Sequence, residues 1–294
     1  MEKYLTVRET AEAWGVSERS VRGYCESGRV DGARREGKAW MIPEGAKPPR
    51  RKNGSGFPLL GVLQREQEAR LPGGIYHWVQ VEFAYNSNHM EGSRLTHEQT
   101  RYIFETATVD AAGGCVSADD VVETANHFQC TDLVIRNAGK KLSEEFILKL
   151  HAVLKNGTSD TRRSWFSVGA YKRLPNTVGG VFTASPEETP ARMRGLLAEY
   201  GGKAHPDLDD LLDFHCRFER IHPFQDGNGR VGRLILFKEC LKNGIVPFII
   251  DEELKYLYYR GLAQWDSERG FLRDTCLTAQ DRFRQCMDRF RIPY

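Results

Sequence analysis

The 294-residue chain lacks several features that would assign it to a class at once. Its seven cysteines (25, 115, 130, 216, 240, 276 and 286) include no C-x-x-C pair and are odd in number. They signal neither a disulfide framework nor a zinc module, and reduced thiols in a cytosol are the expectation. The opening Met1-Glu2-Lys3-Tyr4 mixes both charge signs and leads into no long apolar run, so no secretory signal is read there. The apolar run from Ile245 to Ile250 contains Pro247 and is far too short to span a bilayer. No internal repeat stands out. A net charge of +2 is too small to demand a nucleic-acid partner for the whole chain, so charge must be read region by region. What remains is an ordinary globular composition, with 40% hydrophobic and 28% charged residues and length for roughly two domains.

Residues 1–46 read as the smaller domain. Thr6 and Glu9 form a capping-box pattern ahead of a helix through Ala11 and Trp14 to Gly15. Ser17 caps a second helix whose stripe of Val21, Tyr24 and Cys25 runs to Gly28. A hairpin over Ala33–Ile42 follows, with its turn at Glu36-Gly37 and its second strand ending before Pro43. Residues 1–55 hold 12 Lys+Arg against 8 Asp+Glu, with Arg19 and Arg22 on the second helix and Arg34, Arg35 and Lys38 on the hairpin. Such cations suit DNA phosphates, while a solvated domain that binds protein or dimerises fits the same pattern. The arrangement over residues 3–45 resembles winged helix-turn-helix modules of the excisionase and MerR-like type. Residues 47–58, with Pro48-Pro49 and Arg50-Arg51-Lys52, read as a linker.

From residue 59 to 294 the pattern is mainly α. Helical stretches are expected over Ala118–Asn137 behind Ser117, from Ser143 to Lys155, from Pro190 to Tyr200 and over Leu208–Ile221. The exception is Tyr171-Lys172-Arg173-Leu174 and Val178-Gly179-Gly180-Val181-Phe182, read as two strands joined by Pro175-Asn176-Thr177. Such a hairpin could hold a target peptide by strand addition, or simply cover the core. The last stretch, Val246–Tyr294, reads as further helix, with Trp265 in the core.

The chemistry concentrates in His222-Pro223-Phe224-Gln225-Asp226-Gly227-Asn228-Gly229-Arg230-Val231-Gly232-Arg233. Pro223 disfavours helical geometry at His222, which leaves a potential base at a junction. Asp226 is a hard oxygen ligand suited to Mg²⁺ on a nucleotide. Gly227, Asn228 and Gly229 let backbone amides approach an anion at the start of a helix. Arg230 and Arg233, three apart, share a helix face and can grip separate phosphates. Taken singly, these are a cap, a turn and surface cations, and His222 with Asp226 could instead bind a transition metal. As an ordered string they point to a polyphosphate.

That string resembles the Fic-domain family, whose H-P-F-x-[DE]-G-N-[GK]-R-x-x-R signature it matches at every fixed position; the likeness covers most of residues 60–250, with a catalytic core near 143–245. It implies a helical Fic fold with a β-hairpin flap (Tyr171, Lys172, Arg173, Val178, Gly179, Gly180) that binds the target. It also implies AMP transfer from ATP to a Ser, Thr or Tyr hydroxyl of a target protein or of the chain itself. By that likeness His222 takes the hydroxyl proton and Asp226 holds Mg²⁺. Asn228 and the glycine-flanked loop stabilise the transferred group, Arg230 the β-phosphate and Arg233 the γ-phosphate. Gly229, rather than Lys, favours nucleotidyl transfer. Residues Ser87 to Gly92 are similar to the family's inhibitory [ST]-x-x-x-E-[GN] motif, which implies that Glu91 competes for Arg233; Glu91 could equally orient water for AMP removal. A DNA-binding regulator whose Fic part senses nucleotide is the alternative from another class. DNA through residues 1–46 and a homo-oligomer are compatible with the sequence, no membrane partner is expected, and the cytoplasm is the expected location.

Overall fold

The computed structural model describes residues 3–14, 16, 18–26, 30–37, 39–47, 58–110 and 114–294. The chain folds as two units, Met1–Ser55 and Gly56–Tyr294. The expected turn at Gly15, the cap at Ser17, the helix end at Gly28, the wing cation Lys38 and nearly all of the linker lie outside the described residues.

In the first unit, β1 (Tyr4–Thr6) leads into α1 (Val7–Trp14) and α2 (Glu18–Glu26), followed by β2 (Arg34–Glu36) and β3 (Ala39–Pro43). The Thr6/Glu9 capping box forms: the Thr6 amide donates to Glu9 at 2.8 Å and the Glu9 amide to Thr6 Oγ1 at 3.3 Å. The sheet order is β1-β3-β2, all antiparallel, and β3 runs through Pro43 rather than stopping before it. Three residues of β1 are too few to carry a readable alternation, so this strand escapes sequence reading. Glu36 pairs with Ala39 and Gly37 has φ +62°, so the turn begins at Gly37. Val7, Ala11, Val21, Cys25, Val30 and Ile42 form the core. Arg22 pairs with Glu18 at 2.6 Å and Arg34 with Glu36 at 2.8 Å, both exposed pairs that hold little energy against a competing phosphate.

The second unit runs α3 (Pro58–Ala69), α4 (Ile75–Met90), α5 (His97–Thr106), α6 (Ala118–Asn137), α7 (Glu144–Leu154), a 3-10 turn (Ser159–Arg162), strands β4 (Thr177–Val178) and β5 (Val181–Phe182), α8 (Thr189–Gly201), α9 (Leu208–Ile221), α10 (Asn228–Lys242), α11 (Glu252–Ala263) and α12 (Arg269–Arg289). Short polar side chains start many of these helices. Thr96 with Gln99 and Asp207 with Asp210 make capping boxes, and Ser117, Ser143 and Asp251 each accept an amide of the first turn. Helix α10 is buried on every side, with α4, α6, α7 and α9 packed around it. Leu234, Ile235 and Phe237 each contribute about 1.5–3 kcal/mol by leaving water, so its position is firmly set. Trp265 is fully buried, as expected.

The hairpin differs from expectation. Only Thr177–Val178 and Val181–Phe182 pair, across a two-residue turn at Gly179 (φ +57°) and Gly180 (φ +81°). Tyr171–Leu174 is not a strand, because its polar groups are spent elsewhere. The Lys172 amide donates to the Pro223 carbonyl, the Leu174 amide to Gln225 Oε1 and the Tyr171 hydroxyl to Glu144.

Among the described residues no helix is long and apolar enough to cross a membrane. The seven cysteines are free, and only Cys115 is exposed.

Candidate active site

Helix α9 ends at His222, which adopts the left-handed conformation (φ 51°, ψ 60°). For a residue with a Cβ this costs roughly 1–2 kcal/mol, and Pro223, which excludes the right-handed alternative, helps to impose it. The His222 Nδ1 lies 3.2 Å from the Glu219 carbonyl. A carbonyl only accepts, so Nδ1 carries the hydrogen and Nε2 is left with its lone pair. Burial lowers the imidazole's pKa, with Lys172 adding to the effect and Glu91 and Asp226 opposing it. The ring is therefore a neutral base near pH 7.

The loop to α10 is built on a stacked pair. Phe224 is fully buried and lies on His151, with ring centroids 3.9 Å apart and 6° between planes. Asn228 closes the loop on itself: its Oδ1 accepts from the Phe224 amide at 2.7 Å and its Nδ2 donates to the Phe224 carbonyl at 2.8 Å. The buried Asn228 side chain thereby shapes the loop. Gly227 has φ +82°, and a Cβ there would also press on Leu154 at 3.4 Å, so glycine answers both constraints.

Arg230 and Arg233 both project from α10, but neither points a free guanidinium at solvent. Arg230 is buried, with Nη1 on Glu123 of α6 and Nη2 on Asp226 at 3.1 Å. Glu123 also receives the ammonium of Lys155, which lies 2.7 Å from both Asp160 and Asp226. Two cations thus hold three carboxylates together. Burial would raise the pKa of Asp226, but Arg230 and Lys155 outweigh it and hold the carboxyl down at about 2.

Arg233 is gripped from α4. Its Nε donates to Ser87 Oγ at 3.0 Å, while Nη2 donates to the Ser87 carbonyl at 2.9 Å and to Glu91 Oε1 at 2.7 Å. The Ser-x-x-x-Glu-Gly pattern has a simple geometric basis. Ser87 and Glu91 are four apart, hence on one face, and Gly92 (φ +97°) ends α4 in the left-handed conformation. The Gly92 amide bonds the His89 carbonyl at 3.1 Å and the Ser93 amide the Asn88 carbonyl at 3.1 Å, a Schellman closure. The Ser87 carbonyl is then satisfied by Arg233, whose charge also suits a helix C-terminus. Below Arg233 lies Glu219, whose carboxyl is pushed up to about 8 by burial, with Arg233 opposing and Glu91 adding.

Of the hairpin residues, Val178, Gly179 and Gly180 are exposed and Arg173 is too. Val181 and Phe182 are 70% and 80% exposed. Tyr171 is only partly exposed, and Lys172 is buried. Sequence reading missed Glu123, Lys155, Asp160 and Glu219. Glu123 lies 107 positions before Arg230, and no local pattern announces that pairing.

Residues 141–239 match the model of the Fic/DOC family. A protein adenylyltransferase Fic of Drosophila willistoni is 29% identical over 201 residues, 64% of this chain and 38% of that protein. The protein of the same name in Drosophila melanogaster is 28% identical over 225 residues, 72% of this chain and 41% of that protein. The chain therefore spans about two fifths of the length of these relatives. A Fic domain containing signaling protein from Bacteroides thetaiotaomicron superposes with a TM-score of 0.58 at 29% identity, covering 79% of this chain and 93% of the other. Fic-1 from C. elegans superposes with a TM-score of 0.60 at 19% identity, over 79% of this chain and 72% of the other, a likeness of fold.

Proposed function

We propose that the chain, whose residues 141–239 match the Fic/DOC family, transfers AMP from ATP to a hydroxyl of a protein target, itself included, under restraint by Glu91. The observation that carries the reading is the state of His222. Its Nδ1 is committed to the Glu219 carbonyl, so Nε2 keeps the lone pair that a proton acceptor needs, which supports His222 as the base. The target hydroxyl oxygen would bond to the α-phosphorus of ATP as the bond to the pyrophosphate oxygen breaks. The hydroxyl proton passes to Nε2, and pyrophosphate carries the electron pair away. The amides at the start of α10 and the helix dipole stabilise the charge gathering on the α-phosphoryl oxygens. The exposed edge of the hairpin supports docking of an extended target segment by strand pairing.

Three carboxylates, Glu123, Asp160 and Asp226, have ligand oxygens within 4.8 Å of one another, but the Lys155 ammonium lies among them. A divalent ion therefore fits Asp226, whose side chain is 49% exposed, rather than the middle of the cluster. Bound there with nucleotide phosphates, Mg²⁺ would neutralise charge on them.

Ser87 and Glu91 occupy the donors of Arg233 that a γ-phosphate would need, which supports autoinhibition. The full chain incubated with Mg²⁺-ATP should gain the mass of one AMP on itself or on a lysate protein. Glu91→Gly should raise this and His222→Ala abolish it; no adduct in either the wild type or Glu91→Gly would sink the transfer reading. Loss of AMP from a modified target that depends on Glu91 would instead favour removal.

The first unit supports a second activity. Two helices and an antiparallel hairpin around a separate core are the parts of a winged helix-turn-helix, and DNA binding by it is proposed. A salt-dependent mobility shift of DNA by the full chain tests this, and a shift insensitive to salt would argue against phosphate contacts. The free cysteines suit a cytoplasmic setting.

A further inference from the structure

Lys172 sits where the flap meets the turn that carries His222, and its side chain is 3% exposed. An ammonium has three hydrogens, and here all three are used. They go to Asn176 Oδ1 at 2.8 Å, Thr183 Oγ1 at 2.7 Å and the Ile221 carbonyl at 3.2 Å. The Lys172 amide adds a bond to the Pro223 carbonyl at 2.9 Å. One residue therefore holds the carbonyls on both sides of His222, and it also holds both ends of the hairpin, since Asn176 precedes β4 and Thr183 follows β5. Asn176 reinforces the junction by donating to the Phe224 carbonyl at 3.0 Å.

This grip matters because His222 is in a conformation that a residue with a Cβ adopts only when its surroundings over-determine it. Pro223 disfavours helical geometry at the residue, while the Ile221 carbonyl on Lys172 and the His222 amide on Phe218 fix the peptide plane before His222, and the Pro223 carbonyl on the Lys172 amide fixes the plane that follows Pro223. We infer that Lys172 is a positioning residue which couples the flap to His222, so that ordering of the hairpin by a docked strand also orders the base. This rests on the transfer reading only for its consequence in turnover; the mechanical coupling stands apart from it.

The charge on Lys172 supports the same picture. Among the described residues no carboxylate pairs with it, and burial pulls its pKa down to about 8. The groups acting on His222 are Lys172 from the flap stem, Glu91 from the end of α4, Asp226 from the turn and the Glu219 carbonyl of α9. Removing the lysine takes away a cation that disfavours the imidazolium, so the His222 pKa should rise.

Hydrogen exchange read by mass spectrometry on the full chain, with no nucleotide present, tests the coupling. In Lys172→Met, segments 176–183 and 219–226 should both exchange faster, by roughly tenfold or more, as loss of a charged donor implies. The His222 ring should titrate at higher pH by NMR. Lys172→Arg, which keeps the cation, should recover part of both effects. Where Lys172→Met does not fold, Thr183→Val serves instead: it removes one acceptor on the hairpin side, and exchange at 219–226 should still rise. A hairpin that loosens while 219–226 stays at the wild-type rate, or no change in either segment, overturns the inference. Exchange and titration need no turnover. The coupled change in the Lys172 variants, together with no AMP adduct on either the wild type or Glu91→Gly with Lys172 intact, therefore refutes the transfer reading and leaves the coupling standing.

Discussion

A methyl group on Gly229 would overlap Oε1 of Glu91 and stand 2.9 Å from Nη1 of Arg233. Glycine at this position is the seat on which the Glu91 carboxylate rests. Gly229 lies in the first turn of α10 outside the left-handed region, so the backbone accepts alanine there. Gly229→Ala should therefore displace Glu91 and raise self-modification without altering either member of the ion pair. The double variant with Glu91→Gly should be no more active than Glu91→Gly alone, because both act on one contact. Labelled ATP incorporation checks this, and a rise that adds fully to that of Glu91→Gly would mean the two act separately.

Ser87→Ala removes the Oγ partner of the Arg233 Nε but keeps the main-chain carbonyl and Glu91. A hydrogen bond to a charged group is worth about 1.5–3 kcal/mol. The variant should show a partial rise in self-modification, smaller than that of Glu91→Gly, in the same incorporation assay. Equal activation by the two would place the restraint mainly on the hydroxyl.

Stability should carry the signature of Glu219. Its folded pKa, about 8, lies above the ordinary 4.5. The folded state therefore binds more protons than the unfolded state between those values. The stabilisation is complete below pH 4.5 and is lost as pH rises through 8. Glu219→Gln should flatten this part of the profile, measured as Tm from pH 5 to 9. An unchanged slope would assign it to another group.

The acid limb of the rate should reflect His222. Its lowered pKa keeps Nε2 unprotonated below the usual histidine midpoint. The profile of kcat/KM against pH should have its acidic midpoint below 6.5. A midpoint above that value would mean that the imidazolium is favoured in the free enzyme.

Lys155 is 2% exposed and holds Glu123, Asp160 and Asp226 together. Lys155→Met leaves three carboxylates facing one another, with Arg230 on Glu123 and Asp226 and the half-exposed Arg163 on Asp160 to offset them. Breaking a buried pair in this way costs about 3–5 kcal/mol. Tm should fall, and millimolar Mg²⁺ or Ca²⁺ should restore part of it in the variant while moving the wild type less. Equal shifts in both proteins would mean that the ion binds elsewhere.

The sequence is legible where function is local and opaque where charges converge from distant helices. His222 to Arg233 is one contiguous string, and Ser87 and Glu91 lie one helical turn apart, so both could be read along the chain. Thr96, Ser117 and Ser143 announce helix starts because an N-cap is a short-range contact. Glu123 and Lys155 reach the site only through the packing of α6 and α7 against α10, and neither has a local signature. Tyr171–Leu174 has strand-like composition, yet its polar groups find partners in the turn beyond α9, and tertiary contact overrides propensity. The partners of Arg230 and Asn228 give them work within the protein that spacing alone does not reveal.

The bond from Arg233 to the Ser87 carbonyl adds a side-chain cap to the last turn of α4, beside the main-chain closure at Gly92 and Ser93. Any anion that draws Arg233 away removes that cap from the Ser87 carbonyl, and any ligand that frays the last turn of α4 frees Arg233. The two events are thermodynamically reciprocal. With nucleotide bound as proposed, its affinity and the order of residues 87–92 become one equilibrium viewed from two ends, and a partner gripping the end of α4 would set the first by acting only on the second.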